Sequence, residues 1–421
     1  MRNHLLFKDT RQLRKEWIMR EAVIAGYLRT AQSRSRPNEP ERDWFYTLRG
    51  DDLLSKLLPE LLKRTGVKAE EIEDCITGAA IGVSENFTYG GRLPIYLANL
   101  PDTVAAKYVD QQCGSSMAAI HIGAMEIMLD YADIVVAAGM EHMTRVPMGQ
   151  AWLKEGHVKL NKSLLEEEKY AHWDLRNAMN MGMTAEKLFS VRDFSKEELD
   201  QWAKRSHDLA LKAQEEGFFD GEIMPIEAEQ ADGSVMTVQK DQSVRQNVSL
   251  EGLAQLKPAF KENGVITAGN ASPLNAGASS ILLMSKEKAR EKGIKPLATI
   301  RSIGFAGVDP TIMGIGPIPA TKRALKSAGL KVEDIDYWEI NEAFTIVVLN
   351  CVKELGIDSD RVNIKGGGTA IGHPLGATGG RLVGTLARIL NEKNTRYGCA
   401  TACCGGGQGV ATIIEREAYD W

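Results

Sequence analysis

A single offset organises this chain and limits what it can fold into. The segment LLKRTGVKAEEIEDCITGAA, from Leu61 to Ala80, overlays ALKSAGLKVEDIDYWEINEA, from Ala324 to Ala343. Lys63 falls on Lys326, Gly66 on Gly329, Lys68 on Lys331, Glu70 on Glu333 and Ile72 on Ile335, a shift of 326 − 63 = 263. The same shift places Cys113 on Gly376 and Met140 on Cys403. Three separate elements obey it, so the chain is an internal duplication.

Each copy carries the same signals. A helix ends at Gly66 or Gly329, glycine being the usual residue just past a helix cap. An acidic turn and a strand follow, then a helix opening in small residues, from about 113 to 131 or 376 to 391. A β-rich strand closes the unit, Ile134–Ala138 or Cys399–Ala402. Strands alternating with helices predict an α/β fold around mixed or parallel sheets. The run EAVIAGYLRT reads as a further strand, and Pro59 predicts a kink in the first helix. Thr144 to Gly269 has no partner in the repeat. It is polar, with EEEK and the helical FSKEELDQWAKRSHDLALKAQEEG, and reads as an insertion placed to hold a long substrate.

Composition excludes several function classes. The chain has 421 residues, 43% hydrophobic and 25% charged, enough for a large core. A net charge of −5 gives no global basic field for nucleic acid or a membrane surface, so an anionic substrate needs local groups. No apolar run nears the roughly 20 residues that span a bilayer. The six cysteines, at 75, 113, 351, 399, 403 and 404, form no disulfide framework or zinc pattern, which predicts a reducing, cytoplasmic setting and no metal. Residues 1–18 are basic but hold Asp9 and Glu16 and no secretory apolar stretch, so they read as an extension or upstream start. The C-terminal YDW is not a peroxisomal address.

Chemistry concentrates at two cysteines and a histidine, each among glycines. Cys113 sits in QQCGSSM, His373 in GGGTAIGHPLGATGG and Cys403 in TACCGGGQG. Small residues let a bulky substrate reach the backbone and free N–H groups for an oxyanion. A cysteine at a helix start is expected to have its thiolate favoured by the unpaired N–H groups there. His373 can accept a thiol proton or donate to a thioester oxygen. Asn341, in NEAF at a strand end, can orient a water or a backbone group. The combination predicts thioester chemistry.

Together QQCGSSM, TAGNASPLNAGAS, NEAF, GGGTAIGHPLGATGGR and CCGGGQG resemble the thiolase family, the acetyl-CoA acetyltransferases and 3-ketoacyl-CoA thiolases. The resemblance runs from Met19 to the C-terminus in the family's order. It implies the duplicated thiolase fold, a five-layer α-β-α-β-α sandwich. The implied division is an extension over 1–18, a first half over 19–143 and 270–296, a coenzyme A-binding loop domain over 144–269, and a second half over 297–421. It further implies thiolytic cleavage of 3-ketoacyl-CoA, as in fatty acid β-oxidation, or the reverse Claisen condensation of acetyl-CoA. No cofactor is implied, since coenzyme A thioesters are the substrates.

By the same resemblance Cys113 is the acyl-accepting nucleophile, His373 its base and Cys403 the acid/base at the substrate α-carbon. Cys404 holds the variable position of Cys-x-Gly-Gly-Gly. Asn341, through a water, joins His373 in binding the enolate oxygen, and the N–H groups of Cys113 and Gly405 form the other oxyanion hole. Ser272, Arg245, Ala268, Gly269, Met181, Phe260 and Phe344 are the implied substrate and coenzyme A contacts. Asn180 stands where many biosynthetic relatives carry histidine, and Pro273 and Ala276 replace a commoner glycine and aspartate; these bear on chain length and direction. A homodimer or homotetramer is implied, with IHIGAMEIMLDYADIVVAAG (Ile120 to Gly139) expected to supply its edge strand. Two rivals are a decarboxylating ketoacyl synthase and a non-catalytic coenzyme A-binding scaffold. The first lacks a cysteine in the Cys403 turn, and the second has no reason to keep every catalytic residue.

Overall fold

In the computed structural model, which describes residues 19–146, 148 and 160–417, the two copies of the repeat adopt the same local geometry. The first half begins with strand β1 (Ala22–Thr30) and helix α1 (Gly50–Thr65), and continues through β2 (Asp74–Gly78), β3 (Ala105–Val109), α2 (Ser115–Met128) and β4 (Ile134–His142). The insertion contributes α3 (Met181–Ser190) and α4 (Lys196–Glu215), after which β5 (Asn275–Ser285) returns to the first half. The second half holds β6 (Ala298–Gly307), α5 (Pro317–Ala328), β7 (Tyr337–Ile340), α6 (Thr345–Leu355), α7 (Leu375–Lys393), β8 (Tyr397–Cys404) and β9 (Gln408–Glu415).

Helices α1 and α5 both close on a left-handed glycine, Gly66 at φ 69° and Gly329 at φ 68°. A one-turn 3-10 helix follows each, Ala69–Glu71 and Val332–Asp334. Its last acid turns back to accept the backbone N–H of Lys68 or Lys331. Helix α1 is continuous across Pro59.

The strands follow the order β7-β8-β9-β6-β1-β5-β4-β2-β3. Pairing is parallel where β2 meets β3 and β4 and where β7 meets β8, and antiparallel elsewhere along the path. The halves join where β1 meets β6 at only two positions, Val23 with Thr299 and Ile24 with Ala298. Helices α2 and α7 lie against each other between the two half-sheets, while α1 and α5 cover the outer faces. This makes the five layers.

Three apolar clusters fill the spaces between layers. Met117 and Ile120 of α2 meet Leu382 and Leu386 of α7, with Val135, Leu283 and Ala400 from the flanking strands. On one outer face Leu53, Leu54, Leu57, Leu58 and Leu61 of α1 are almost fully buried, each contributing roughly 1.5–3 kcal/mol by leaving water. On the other, Ala324 of α5 packs against Trp338 and Ile413. The insertion is pinned to this frame by Arg29 of β1, which is buried, donates Nε to Glu222 (2.7 Å) and grips Asp241 through both terminal nitrogens (2.7 and 3.0 Å). Losing both acids would strand a buried cation, at a cost of about 3–5 kcal/mol. Among the described residues no helix is long and apolar enough to cross a membrane.

The expected edge strand is corrected. Ile120 to Gly139 spans the end of α2 and most of β4, and β4 is paired on both sides, with β2 and β5. Its high apolarity reflects burial on both faces, which interior strands of such sheets share. The path ends at β7 on one side and at β3 on the other; β3, AAKYV, has Ala105 and Lys107 exposed, and an exposed lysine is a usual guard of a strand edge.

Candidate active site

Three chain turns carry the glycine-rich motifs to one place. Cys113 lies in a 3-10 turn, Gln112–Gly114, immediately ahead of α2. Gln112 is held at φ 50°, a left-handed conformation that side chains other than glycine rarely adopt. Its amide side chain donates to the Ala80 carbonyl (3.1 Å), and its backbone N–H to Asp110 Oδ1 (2.8 Å). These bonds offset the strain and aim the next residue inward. Cys113 is buried beside Ile81, Met143, Val146 and Leu375.

The backbone N–H groups of Gly405 and of Cys113 itself lie close to the Cys113 sulfur. They favour the thiolate, as the helix-start position predicts, but burial outweighs them and pushes the thiol up to about 12. A raised thiol agrees with the expected role of His373 as the group that takes its proton.

His373 is oriented on every side. Its backbone N–H donates to Asn275 Oδ1 (2.8 Å), and the preceding Gly372, at φ 120°, has no room for a Cβ against that asparagine. The Thr378 hydroxyl donates to the Pro374 carbonyl (3.0 Å), so at 2.6 Å from His373 Nδ1 it accepts the ring N–H. That leaves Nε2 with the lone pair, facing the Asn341 amide nitrogen at 3.2 Å. Burial, aided by Arg381, lowers the imidazole to about 3, so it is neutral at physiological pH. A neutral imidazole whose Nε2 lone pair accepts only the Asn341 amide can take a proton once that bond yields.

Cys403 and Cys404 end β8, where successive side chains point to opposite faces. Cys403 joins the cluster of Ala343, Phe344 and Leu188, and its thiol is pushed up by burial and then by Cys113. Cys404 faces the interior between the half-sheets, where its sulfur packs against Gly114 and donates weakly to the Ala402 carbonyl (3.9 Å). A Cβ at Gly114 would stand only 2.7 Å from that sulfur. The chain then turns through Gly406 and Gly407, each at φ 79°, into β9.

Two buried acids beside the site were not singled out from the sequence. Glu141 accepts from the N–H groups of Ala80 (2.8 Å) and Gly376 (3.1 Å) and from the Asn86 amide (2.8 Å); burial raises it to about 7. Glu342 accepts from Trp202 (2.9 Å) and Ser206 (2.7 Å) of α4, from Asn363 (2.8 Å) and from the Thr369 N–H (3.1 Å). It thereby ties the insertion to the loop bearing Asn341. The available signal was an acid at the end of a strand, as in IVVAAGME and WEINE.

The implied substrate contacts divide. Arg245, Ala268 and Gly269 line one cleft with Arg34, His207 and Thr369. Ser272 is not among the residues lining it: its hydroxyl (3.1 Å) and N–H (3.0 Å) both donate to the Ala343 carbonyl. Met181 lies over Gly405, and Phe260 covers Gly182 and meets Phe344 edge-on with ring centres 6.0 Å apart. Asn180 caps α3 through the Met183 N–H (3.3 Å).

Comparison with known proteins places this geometry. The family model for the thiolase N-terminal domain matches residues 30–287, and that for the thiolase C-terminal domain matches 294–416. A 3-ketoacyl-CoA thiolase from Aliivibrio fischeri is 41% identical over 403 residues, covering 94% of this chain and 100% of the relative. One from Marinobacter nauticus is 39% identical over 402 residues, with 94% and 98% covered. Among solved structures, the Bacillus anthracis acetyl-CoA acetyltransferase aligns with a TM-score of 0.83 at 37% identity, covering 95% of this chain and 100% of that one. Human mitochondrial 3-ketoacyl-CoA thiolase gives 0.83 at 32%, with the same coverage.

The raised Cys113 thiol has a measurable consequence. With Cys113 raised to about 12, its thiolate fraction is still growing at pH 9. Inactivation by iodoacetamide should rise about tenfold per pH unit from pH 6 to 9. A plateau between pH 5 and 8 would show a preformed thiolate–imidazolium pair and contradict this reading.

Proposed function

The chain belongs to the thiolase family, and on that premise we propose that it transfers acyl groups between coenzyme A thioesters through an acyl-Cys113 intermediate. The observation that carries the reading is the pair of N–H groups, Cys113 and Gly405, aimed at the nucleophilic sulfur. Once the sulfur is acylated, the same donors lie beside the thioester oxygen, where each is worth roughly 2.7–4 kcal/mol to a developing oxyanion.

In the cleavage direction Cys113 attacks the C3 ketone of a 3-ketoacyl-CoA while His373 Nε2 takes the thiol proton. The resulting alkoxide collapses and the C2–C3 bond breaks, its electron pair leaving as the enolate of acetyl-CoA. Asn341 and His373 bind the enolate oxygen as Cys403 protonates its carbon. A second coenzyme A then gives its proton to the Cys403 thiolate and attacks the acyl-Cys113. Cys113 leaves as thiolate and recovers its proton from His373, so both groups end as they began. Condensation of two acetyl-CoA runs the same steps backwards. Each charged stage of this cycle pairs the His373 imidazolium with one anion, the alkoxide, the enolate or the Cys403 thiolate, so no buried charge stands alone.

We assign residues 144–269 to holding coenzyme A, with Arg245, Ala268, Gly269, Ser272, Met181, Phe260 and Phe344 as its contacts. The first three support this by lining one cleft. All six cysteines are unpaired and buried, which favours a reducing, cytoplasmic setting. Exposed Tyr89, Tyr96, Leu97 and Tyr131, together with the open edge β3, support a homodimer through that edge.

Two experiments test these assignments. Cys403→Ser should still form an acyl adduct on incubation with acetyl-CoA, read by intact mass, yet lose about 10²–10⁴-fold in condensation and cleavage, the usual worth of a positioned acid/base. Cys404→Ser should stay within about threefold of wild type, since its sulfur faces away from the substrate; the reverse pattern would overturn both roles. Sedimentation equilibrium at micromolar concentration should give at least twice the monomer mass of 46.2 kDa. A monomer would contradict the edge assignment.

A further inference from the structure

Positive charge gathers at the mouth of the cleft that holds Arg245. Arg34 and Arg245 line it from opposite parts of the chain, one beside β1 in the first half and the other in the insertion. Arg36 and Arg42 stand close enough to act electrostatically on Arg34. Of the four, Arg42 has an acid, Glu39, at 2.7 Å. Among the described residues no carboxylate lies within salt-bridge distance of Arg34, Arg36 or Arg245, and Arg36 Nε is buried with no hydrogen-bond partner. The backbones that carry the pair are fixed, Arg34 N–H donating to Gln242 Oε1 and Arg36 N–H to Thr144 Oγ1, both at 2.8 Å. Burial and the neighbouring arginines lower Arg34 to about 10. His207 adds no counter-charge: burial and Arg245 hold it at about 4, and its Nδ1 accepts the Arg245 N–H (3.2 Å).

In a chain of net charge −5, cations left facing one another without an acid are destabilising unless an anion joins them. The cleft is tied to the loop that bears Asn341. Thr369 lines it, and the Thr369 N–H donates to Glu342, the neighbour of Asn341. We propose that Arg34, with Arg36 behind it, is a phosphate-binding residue opposite Arg245, so that the first half and the insertion together grip the phosphates at the nucleotide end of the substrate. This rests on the coenzyme A thioester reading above. Guanidinium groups suit the task, because their planar fork matches phosphate oxygens.

Calorimetry of coenzyme A binding tests the proposal without requiring turnover. Arg34→Gln should weaken binding about tenfold, Arg34→Lys by less, and Arg36→Gln should act in the same direction, each with a shallower salt dependence than wild type. Adenosine 3′,5′-bisphosphate should lose affinity by a similar factor, which assigns the effect to phosphate rather than to the pantetheine arm. In turnover, kcat/KM for acetoacetyl-CoA relative to that for its N-acetylcysteamine thioester, which carries no phosphate, should fall about tenfold in Arg34→Gln. Wild-type affinity in the folded variant, an unaltered bisphosphate affinity, or an equal loss on both thioesters would overturn the proposal. Wild-type protein that turned over neither thioester would instead sink the thiolase reading, and coenzyme A calorimetry would still decide the role of Arg34.

Discussion

The site depends on how closely the two inner helices approach each other at their starts. A Cβ on Gly139 would overlap the Gly376 carbonyl, and one on Gly379 would overlap the backbone of Met117. No larger residue fits either place without moving a helix, because protein interiors are too densely packed to yield. This contact brings the turn of Cys113, ahead of α2, and the loop of His373, ahead of α7, to one side of the molecule. The duplication then acts by exchange. Glu141, closing β4, accepts the Gly376 N–H at the start of α7, while Cys404, closing β8, packs its sulfur against Gly114 at the start of α2. These two side chains are themselves repeat partners, since 404 − 141 = 263. Each half thus fastens the helix of the other.

Burial at that junction sets the chemistry. It raises Cys113 and Cys403 and lowers His373, so thiols and imidazole rest uncharged within one dry space. The cost of creating charge there is met by fixed donors, the N–H groups of Cys113 and Gly405 on one side and the Asn341 amide on the other. Such donors need no reorganisation when charge develops, which is why preorganised sites gain more from them than water does. The cleft carrying Arg34 and Arg245 lies at the opposite extreme, where full charges remain and await an anion.

Much of this was legible in the sequence, and the reasons differ by element. Gly66 and Gly329 gave away two helix ends because only glycine is comfortable at φ near 69°. The shift of 263 paired β2 with β7 and β4 with β8 before any coordinate was known. Cys113, His373 and Cys403 were visible through their glycine-rich surroundings. The edge strand was misjudged because apolarity was read as exposure to a partner, whereas β4 is apolar through burial between β2 and β5. The helix start showed which groups favour the thiolate, but not the burial that outweighs them, because desolvation is a tertiary effect. Glu141, Glu342 and Arg34 escaped notice for the same reason: their partners lie far away in sequence, 235 residues in the case of Gly376.

The central claim is that residues from both halves share one acyl-transfer site built around Cys113. A crystal structure of the protein soaked with acetyl-CoA tests it most directly. The account predicts an acetyl group on Cys113 Sγ, its carbonyl oxygen accepting from the N–H groups of Cys113 and Gly405, with Cys403 on the open side of the thioester. An acetyl group on Cys403, or one on Cys113 whose oxygen points away from Gly405, would contradict it.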